Sequence, residues 1–560
     1  MALPTPPSHK DILQQDLQDL HQLGYPQQLL REMGGFANFA ISFSIISVLT
    51  GAILLYGFGL RLAGPVINTV GWPLVSVFTL IVAASMAELA SAYPTAGGLY
   101  FWAYRLGGRT WAWVTAWFNM IGQITITAGI NIAAAIYLVG AVTRAVGLPA
   151  DTPLPLFGSL TNWYFYVLVM ALIMIPQMLI NIFGIKLTAR LNEFSVWWHL
   201  GGVVLIIVLL GVLGRTHQPL SFAFQFTNLT NPYQFASVVF PDGSSAPALY
   251  LGDPVAGQTL VALPSPLFAM FSFLTPLYQA APLWLVFAIG LLQAQWTYTG
   301  YDASAHVAEE TVMARLNSAW GVFLSVAASA VIGYALLMAL TLSITDLPAT
   351  ATDAYPVLKI AYDSLSPLWA NVVAVVIAGA MWLCGLSSLT SMSRMWFAFA
   401  RDGGMPGHHW LRQVHPRWRT PVNAIWLTCA LVVIMLLWSG AYYIVTAISV
   451  IFLYWAYGLP IFLNLRHKLR GHNPLGNAPW SLKRWGAPLN ALAVIWILLL
   501  TLFMVIPPNE LVLWTTALLC GFMFVYWQMN MKHHFTGPRP ASEEEMRRLE
   551  AELASAVERG

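Results

Sequence analysis

The chain has 560 residues, of which 9 % are charged and 58 % hydrophobic, and its formal net charge is +3. A soluble domain carries roughly 25 % charged residues, so there are too few charges here to cover a water-facing surface. The apolar content excludes a disordered chain, and the small net charge without a basic stripe argues against a nucleic-acid partner.

The first 35 residues are polar, with no apolar core, so they read as a cytoplasmic tail and not as a cleavable export signal. Beyond them, a ruler of about 20 apolar residues per crossing predicts twelve spans. The first six are 36–60, 69–91, 111–142, 163–184, 194–213 and 283–307. The other six are 319–343, 368–400, 421–438, 442–464, 487–506 and 511–531. A long Pro- and aromatic-rich loop, 214–282, separates the fifth from the sixth, and 268–277 within it has the pattern of a short interfacial helix. The C-terminal stretch 542–557 is charged and amphipathic and reads as a solvated helix in a tail, 532–560.

Orientation follows from the basic residues. With the N-terminus in the cytoplasm, only Arg61, Arg144, Arg215 and Lys359 fall outside, and 22 of the 26 Lys and Arg fall inside. That asymmetry obeys the positive-inside rule. The expected product is a multi-pass protein of a plasma or bacterial inner membrane, with both termini cytoplasmic.

Two spans carry breaker residues at mid-depth. The first contains Ser47-Val-Leu-Thr-Gly-Ala52 and the sixth contains Trp296-Thr-Tyr-Thr-Gly-Tyr-Asp302. Five spans apart, they have the spacing of two inverted five-helix repeats, whose broken helices form a midplane site. Gly51 alone also fits plain helix packing; the pairing with Gly300 favours a site. Ionisable residues in a bilayer are costly and are functional candidates by default. Asp302 beside the second break and His199 in the fifth span qualify, with Glu88 at the inner end of the second span as a gate or a structural ion pair. Asn119, Gln123, Thr127 and Asn131 share one face of the third span, and Ser387 and Ser388 lead a hydroxyl cluster in the eighth. Each group serves either as interhelical glue or as a lining of the substrate path.

No catalytic or ATP-binding motif is present, so an enzyme is not expected and neither is a cofactor. Cys384, Cys429 and Cys520 lie in apolar stretches and make no metal pair. His408, His409 and His415 sit in a basic linker, and no metal is expected there.

Three stretches together carry a resemblance to a known family. Met86-Ala-Glu-Leu-Ala-Ser-Ala-Tyr-Pro-Thr-Ala-Gly-Gly-Leu-Tyr-Phe-Trp102 is one; Thr299-Gly-Tyr-Asp302 followed by Glu309-Glu310 is another. The third runs from Ser393-Arg394 through Phe399-Ala-Arg-Asp-Gly-Gly-Met-Pro406 to Thr420-Pro421. They resemble the signatures of amino acid–polyamine–organocation permeases, from about Gly24 to Met531. Leu23-Gly-Tyr25 and the pair Trp197-Trp198 look closest to the amino acid/choline branch, which includes GABA permeases.

The resemblance implies an all-α polytopic fold like that of the leucine transporter. Its two inverted five-helix repeats would be 36–213 and 283–464, with a cytoplasmic loop and two further helices over 465–531. By position, Val48, Leu49, Thr50, Gly51 and Ala52 would hold a substrate carboxylate, Tyr298 and Thr299 would offer carbonyls to an amine, and Trp296 would act as an aromatic gate. Gln123, Thr127 and Gly300 complete the expected substrate site. His199 stands where proton-coupled relatives have lysine. Sodium-coupled members of the fold hold a sodium ion near that place, facing the eighth helix, and Ser387 and Ser388 would be its neighbours; Asp302 is a further candidate for ion or proton coupling. The first break lacks the family's Gly-x-Gly. The implied function is secondary active import of an amino acid or small amine such as GABA by proton symport. Obligate exchange is the alternative, and a transporter-like receptor a remote one. The expected partners are the small substrate, protons and the lipid bilayer.

Overall fold

The computed structural model describes residues 9–558 except 150–151, 230–236, 240–244, 250–262, 265, 438–440, 508 and 539. Among the described residues, ten helices are long and apolar enough to cross a membrane, and two shorter apolar helices, Leu283–Thr297 and Val422–Met435, complete the predicted twelve spans. Three short antiparallel strands, Ser237–Val239, Ser245–Leu249 and Leu263–Pro264, lie in the long loop. The interfacial helix expected over 268–277 is instead two short helices, Pro266–Met270 and Thr275–Ala280.

Span 1 is interrupted: Gly35–Ile46, then Gly51–Leu54 and Tyr56–Ala63. Span 6 is interrupted as well: Leu283–Gly290 and Leu292–Thr297 precede a break, and Ala303–His306 follows it. The longest helices are span 3, Arg109–Val146, and span 8, Pro367–Arg401. Span 2 is Trp72–Ala92, span 5 Ile185–Val208, span 7 Ala314–Leu342 and span 10 Ala441–Leu469.

Packing shows the internal two-fold. Span 2 packs on span 7, and span 3 on span 8; each pairs with its own counterpart in the other repeat. Span 1 meets span 7 as span 6 meets span 2, and span 3 meets span 10 as span 8 meets span 5. This is the arrangement of two inverted five-helix repeats. Lipid-facing positions are apolar, as at Val77, Leu172, Val204, Val331 and Leu498, because in a bilayer only satisfied backbone and apolar side chains can face outward.

Both tails lie on one face and bind each other. The helix His9–Gln22 supplies Asp16, whose carboxylate accepts from the Met313 and Ala314 amides at 2.7 and 3.2 Å. It thereby caps the start of span 7, where free N–H groups favour an anion. Tyr25 donates to Asp402 at 2.8 Å, and the Arg401 guanidinium lies 4.1 Å from the Tyr25 ring centroid. The helix Glu543–Glu558 is more than a solvated tail, since Glu550 contacts His21 at 2.6 Å and accepts from the Gln27 amide at 3.3 Å. We predict that Tyr25→Phe, which strips a buried donor from Asp402, lowers stability by about 1–2 kcal/mol. A thermal melt of the purified protein checks this.

Candidate functional site

The two breaks meet in the centre of the molecule. In span 1 the helix stops at Ile46, and Ser47 takes a left-handed φ of 33°. The Thr50 and Gly51 amides both return to the Ser47 carbonyl, at 2.7 and 3.0 Å. The Val48 and Leu49 amides are thereby left outside the helical ladder. In span 6, Gly300 has φ +83°, which an L-residue rarely adopts. A Cβ at Gly51 would lie 2.7 Å from the Thr297 Cα, and one at Gly300 would lie 2.3 Å from the Ile45 side chain. Gly51 is therefore required by close approach of backbone, and Gly300 by its φ and by the Ile45 side chain.

Gly300→Ala combines a strained backbone with a steric overlap. The expected loss of stability is about 2 kcal/mol, read as a lowered melting temperature. A variant that melts with the wild type would show that this contact has slack.

The structure brings most of the sequence-derived candidates to this centre. Val48, Leu49, Thr50 and Ala52 are buried, as are Trp296, Tyr298 and Thr299, so the centre is closed to water. Trp296 donates to Ser449 of span 10 at 3.1 Å, and its ring edge lies against Gly129 of span 3. The Tyr298 carbonyl accepts from the Tyr454 hydroxyl at 3.2 Å, and the Tyr298 hydroxyl pairs with Ser76 at 2.6 Å. Gly300 donates its N–H to the Tyr457 hydroxyl at 3.1 Å.

His199 reaches the first break directly. Its Nε2 lies 2.7 Å from Ser47 Oγ, and Ser47 Oγ lies 2.6 Å from Thr50 Oγ1. Its Nδ1 lies 2.7 Å from the Ser195 carbonyl. A carbonyl only accepts, so Nδ1 carries a proton, and in the neutral ring Nε2 accepts from the Ser47 hydroxyl.

The hydroxyls of span 8 are engaged elsewhere. Ser387 shares its one hydroxyl proton between Asn192 Oδ1 and the Leu383 carbonyl, and Ser388 donates to Thr127 at 3.1 Å. Thr127 in turn donates to the Gln123 carbonyl at 2.7 Å. Gln123 and Asn119 point their amides at Asp302. Glu88 is on the tail face, held by Lys468, Ser481 and the Leu482 amide. It ties span 2 to the end of span 10.

Several participants were not among the sequence-derived site candidates, although Glu309, Glu310, Arg394 and Arg401 lie in the family signatures. Tyr454 and Tyr457 reach the second break from span 10. Glu310 pairs with Arg394 at 3.2 Å with both side chains buried, and Glu309 pairs with Arg401 at 2.9 Å. These two bridges join the end of span 6 to span 8 on the tail face. His306, one turn after Asp302, could have been found from its i, i+4 spacing on a common helix face.

Residues 33–527 match the family described as amino acid permease. The chain belongs to the amino acid permease family. Amino-acid permease BAT1 of Arabidopsis thaliana is 31 % identical over 546 residues, covering 93 % of this chain and 95 % of the relative. Its homologue in Oryza sativa subsp. japonica is 29 % identical over 545 residues, with 93 % and 94 % covered. The GABA-specific permease of Saccharomyces cerevisiae is 25 % identical over 418 residues, 74 % of this permease and 64 % of the yeast protein. The permease is thus a multi-pass membrane protein that transports amino acids.

Proposed function

We propose that this permease imports an amino acid or a related small amine such as GABA across a cell membrane, by proton symport with alternating access. Both termini would be cytoplasmic, as the placement of Lys and Arg favours. The observation that carries the reading is the meeting of two broken helices with an imidazole bonded to one of them. Loose amides at Val48 and Leu49 suit a carboxylate, and carbonyls at Tyr298 and Thr299 suit an amine. Buried aromatic rings around the break, Trp296, Tyr298 and Tyr301, suit a cationic end by cation–π attraction.

His199 is the coupling group in this reading. Adding a proton to Nε2 turns it from acceptor to donor, so Ser47 must reverse its hydroxyl and the Ser47–Thr50 contact is rearranged. Proton occupancy is thereby passed to the segment that grips the carboxylate. The name of the yeast relative supports GABA as one member of the substrate panel. The test is thermal stabilisation of the purified protein by a panel of amino acids and amines. A ligand that binds the folded state raises the melting temperature, and a panel without any shift would contradict the reading.

A further inference from the structure

Asp302 is fully buried beneath the second break and receives four side-chain donors. Asn119 and Gln123 of span 3 donate to Oδ2 at 2.7 and 2.9 Å, and His306 Nε2 lies 3.0 Å from the same oxygen. Tyr457 of span 10 donates to Oδ1 at 2.9 Å. The Tyr457 hydroxyl already accepts the Gly300 N–H, so its single proton is free to point at the carboxylate. A carboxyl group surrounded in this way is an acceptor on both oxygens and is therefore ionised.

His306 has an acceptor at each ring nitrogen. Nε2 faces the Asp302 carboxylate, and Nδ1 lies 3.2 Å from the Ala96 carbonyl. Ala96 is itself held, since its N–H donates to Glu309 Oε1 at 3.1 Å. A neutral imidazole has one N–H, so one of these contacts would be lone pair against lone pair. Both are satisfied only when the ring carries two protons.

We propose that His306 is an imidazolium paired with ionised Asp302, and that this pair is a second proton-binding site, distinct from His199. Its role in transport rests on the proton-symport reading above; its protonation state does not. Every partner of the pair belongs to an element other than span 6: the 93–98 loop, span 3 and span 10. Movement of span 6 against them changes the donors to Asp302 and the acceptor of Nδ1, so the proton affinity of the pair differs between conformations.

The other carboxylates nearby are already paired. Glu309 and Glu310 on the same segment pair with Arg401 and Arg394 of span 8. Span 10 presents Tyr454 and Tyr457, and Tyr301 adjoins Asp302 on span 6. Span 1 offers only neutral Asn38 and Ser42, which bond to Ser304, and span 7 places Gly321 against Ser304.

The test uses 15N-histidine-labelled full-length protein in lipid nanodiscs at neutral pH. The double variant Asp302→Asn with His306→Gln keeps hydrogen-bonding groups, removes the proton site and identifies the His306 signal by difference. The expected signal has both ring nitrogens protonated; a neutral His306 overturns the proposal. In proteoliposomes, the ratio of pH-driven accumulation to counterflow should fall about tenfold per unit of gradient in the double variant, the worth of one proton. A purely structural pair would lower both activities together, leave that ratio unchanged and overturn the coupling role. If the wild type showed no pH-driven accumulation, proton symport itself would be wrong, while the NMR result would still decide the state of the pair.

Discussion

His199→Ala should lower pH-driven accumulation by the worth of one proton. One coupled proton under a two-unit gradient supports about hundredfold accumulation, so the variant should lose that factor and keep only what the Asp302–His306 pair supplies. The argument is local. His199 is wholly buried, its Nδ1 proton is committed to the Ser195 carbonyl, and its Nε2 is bonded to the residue at which span 1 breaks. Alanine removes the imidazole bonded to Ser47 and leaves the Cys384 thiol as its other titratable neighbour. Reduced counterflow should survive, because the amides of Val48 and Leu49 do not depend on the imidazole. Full accumulation by the variant would move the coupling site elsewhere.

Arg394→Ala should cost about 3–5 kcal/mol of stability, the usual penalty for leaving one charge of a buried pair unmatched. Arg394 and Glu310 are both inaccessible to solvent. The guanidinium donates to both Glu310 oxygens, at 3.2 and 3.4 Å, and also to Ser393 at 3.0 Å. Alanine leaves the Glu310 carboxylate in a dry site. The bridge also fastens the end of span 6 to span 8 on the tail face, so the loss should favour opening on that side. Adding Glu310→Gln to Arg394→Ala should recover much of the stability, because no charge is then stranded. Thermal melts of the single and double variants check both statements, and equal melting of wild type and Arg394→Ala would refute them.

Much of this architecture can be read in the sequence, for a physical reason. A bilayer forces each crossing into a long apolar helix, so twelve spans stand out, and breakers inside such helices are conspicuous. Ser47–Ala52 and Trp296–Asp302 were legible on that ground. Their partners were not. Apart from His306 one turn on, Asp302 looks isolated in the sequence, yet its other hydrogen-bond partners come from residues 119, 123 and 457. Helical periodicity gives the face a side chain occupies but not the neighbour that meets it. Periodicity does put Asn119 and Gln123 on one face, but it leaves open whether they serve lipid-facing neighbours, substrate or a carboxylate. The docking of the C-terminal helix was hidden for a similar reason, because a charged amphipathic pattern is the same for a solvated helix as for one held by His21 and the Gln27 amide.

The account turns on proton-driven import. Wild-type protein in proteoliposomes with an alkaline interior should concentrate a labelled amino acid or GABA above its external level, and a protonophore should collapse that gradient. Uptake that never exceeds equilibrium, ignores the pH gradient and requires preloaded substrate would contradict the account and identify the permease as an exchanger.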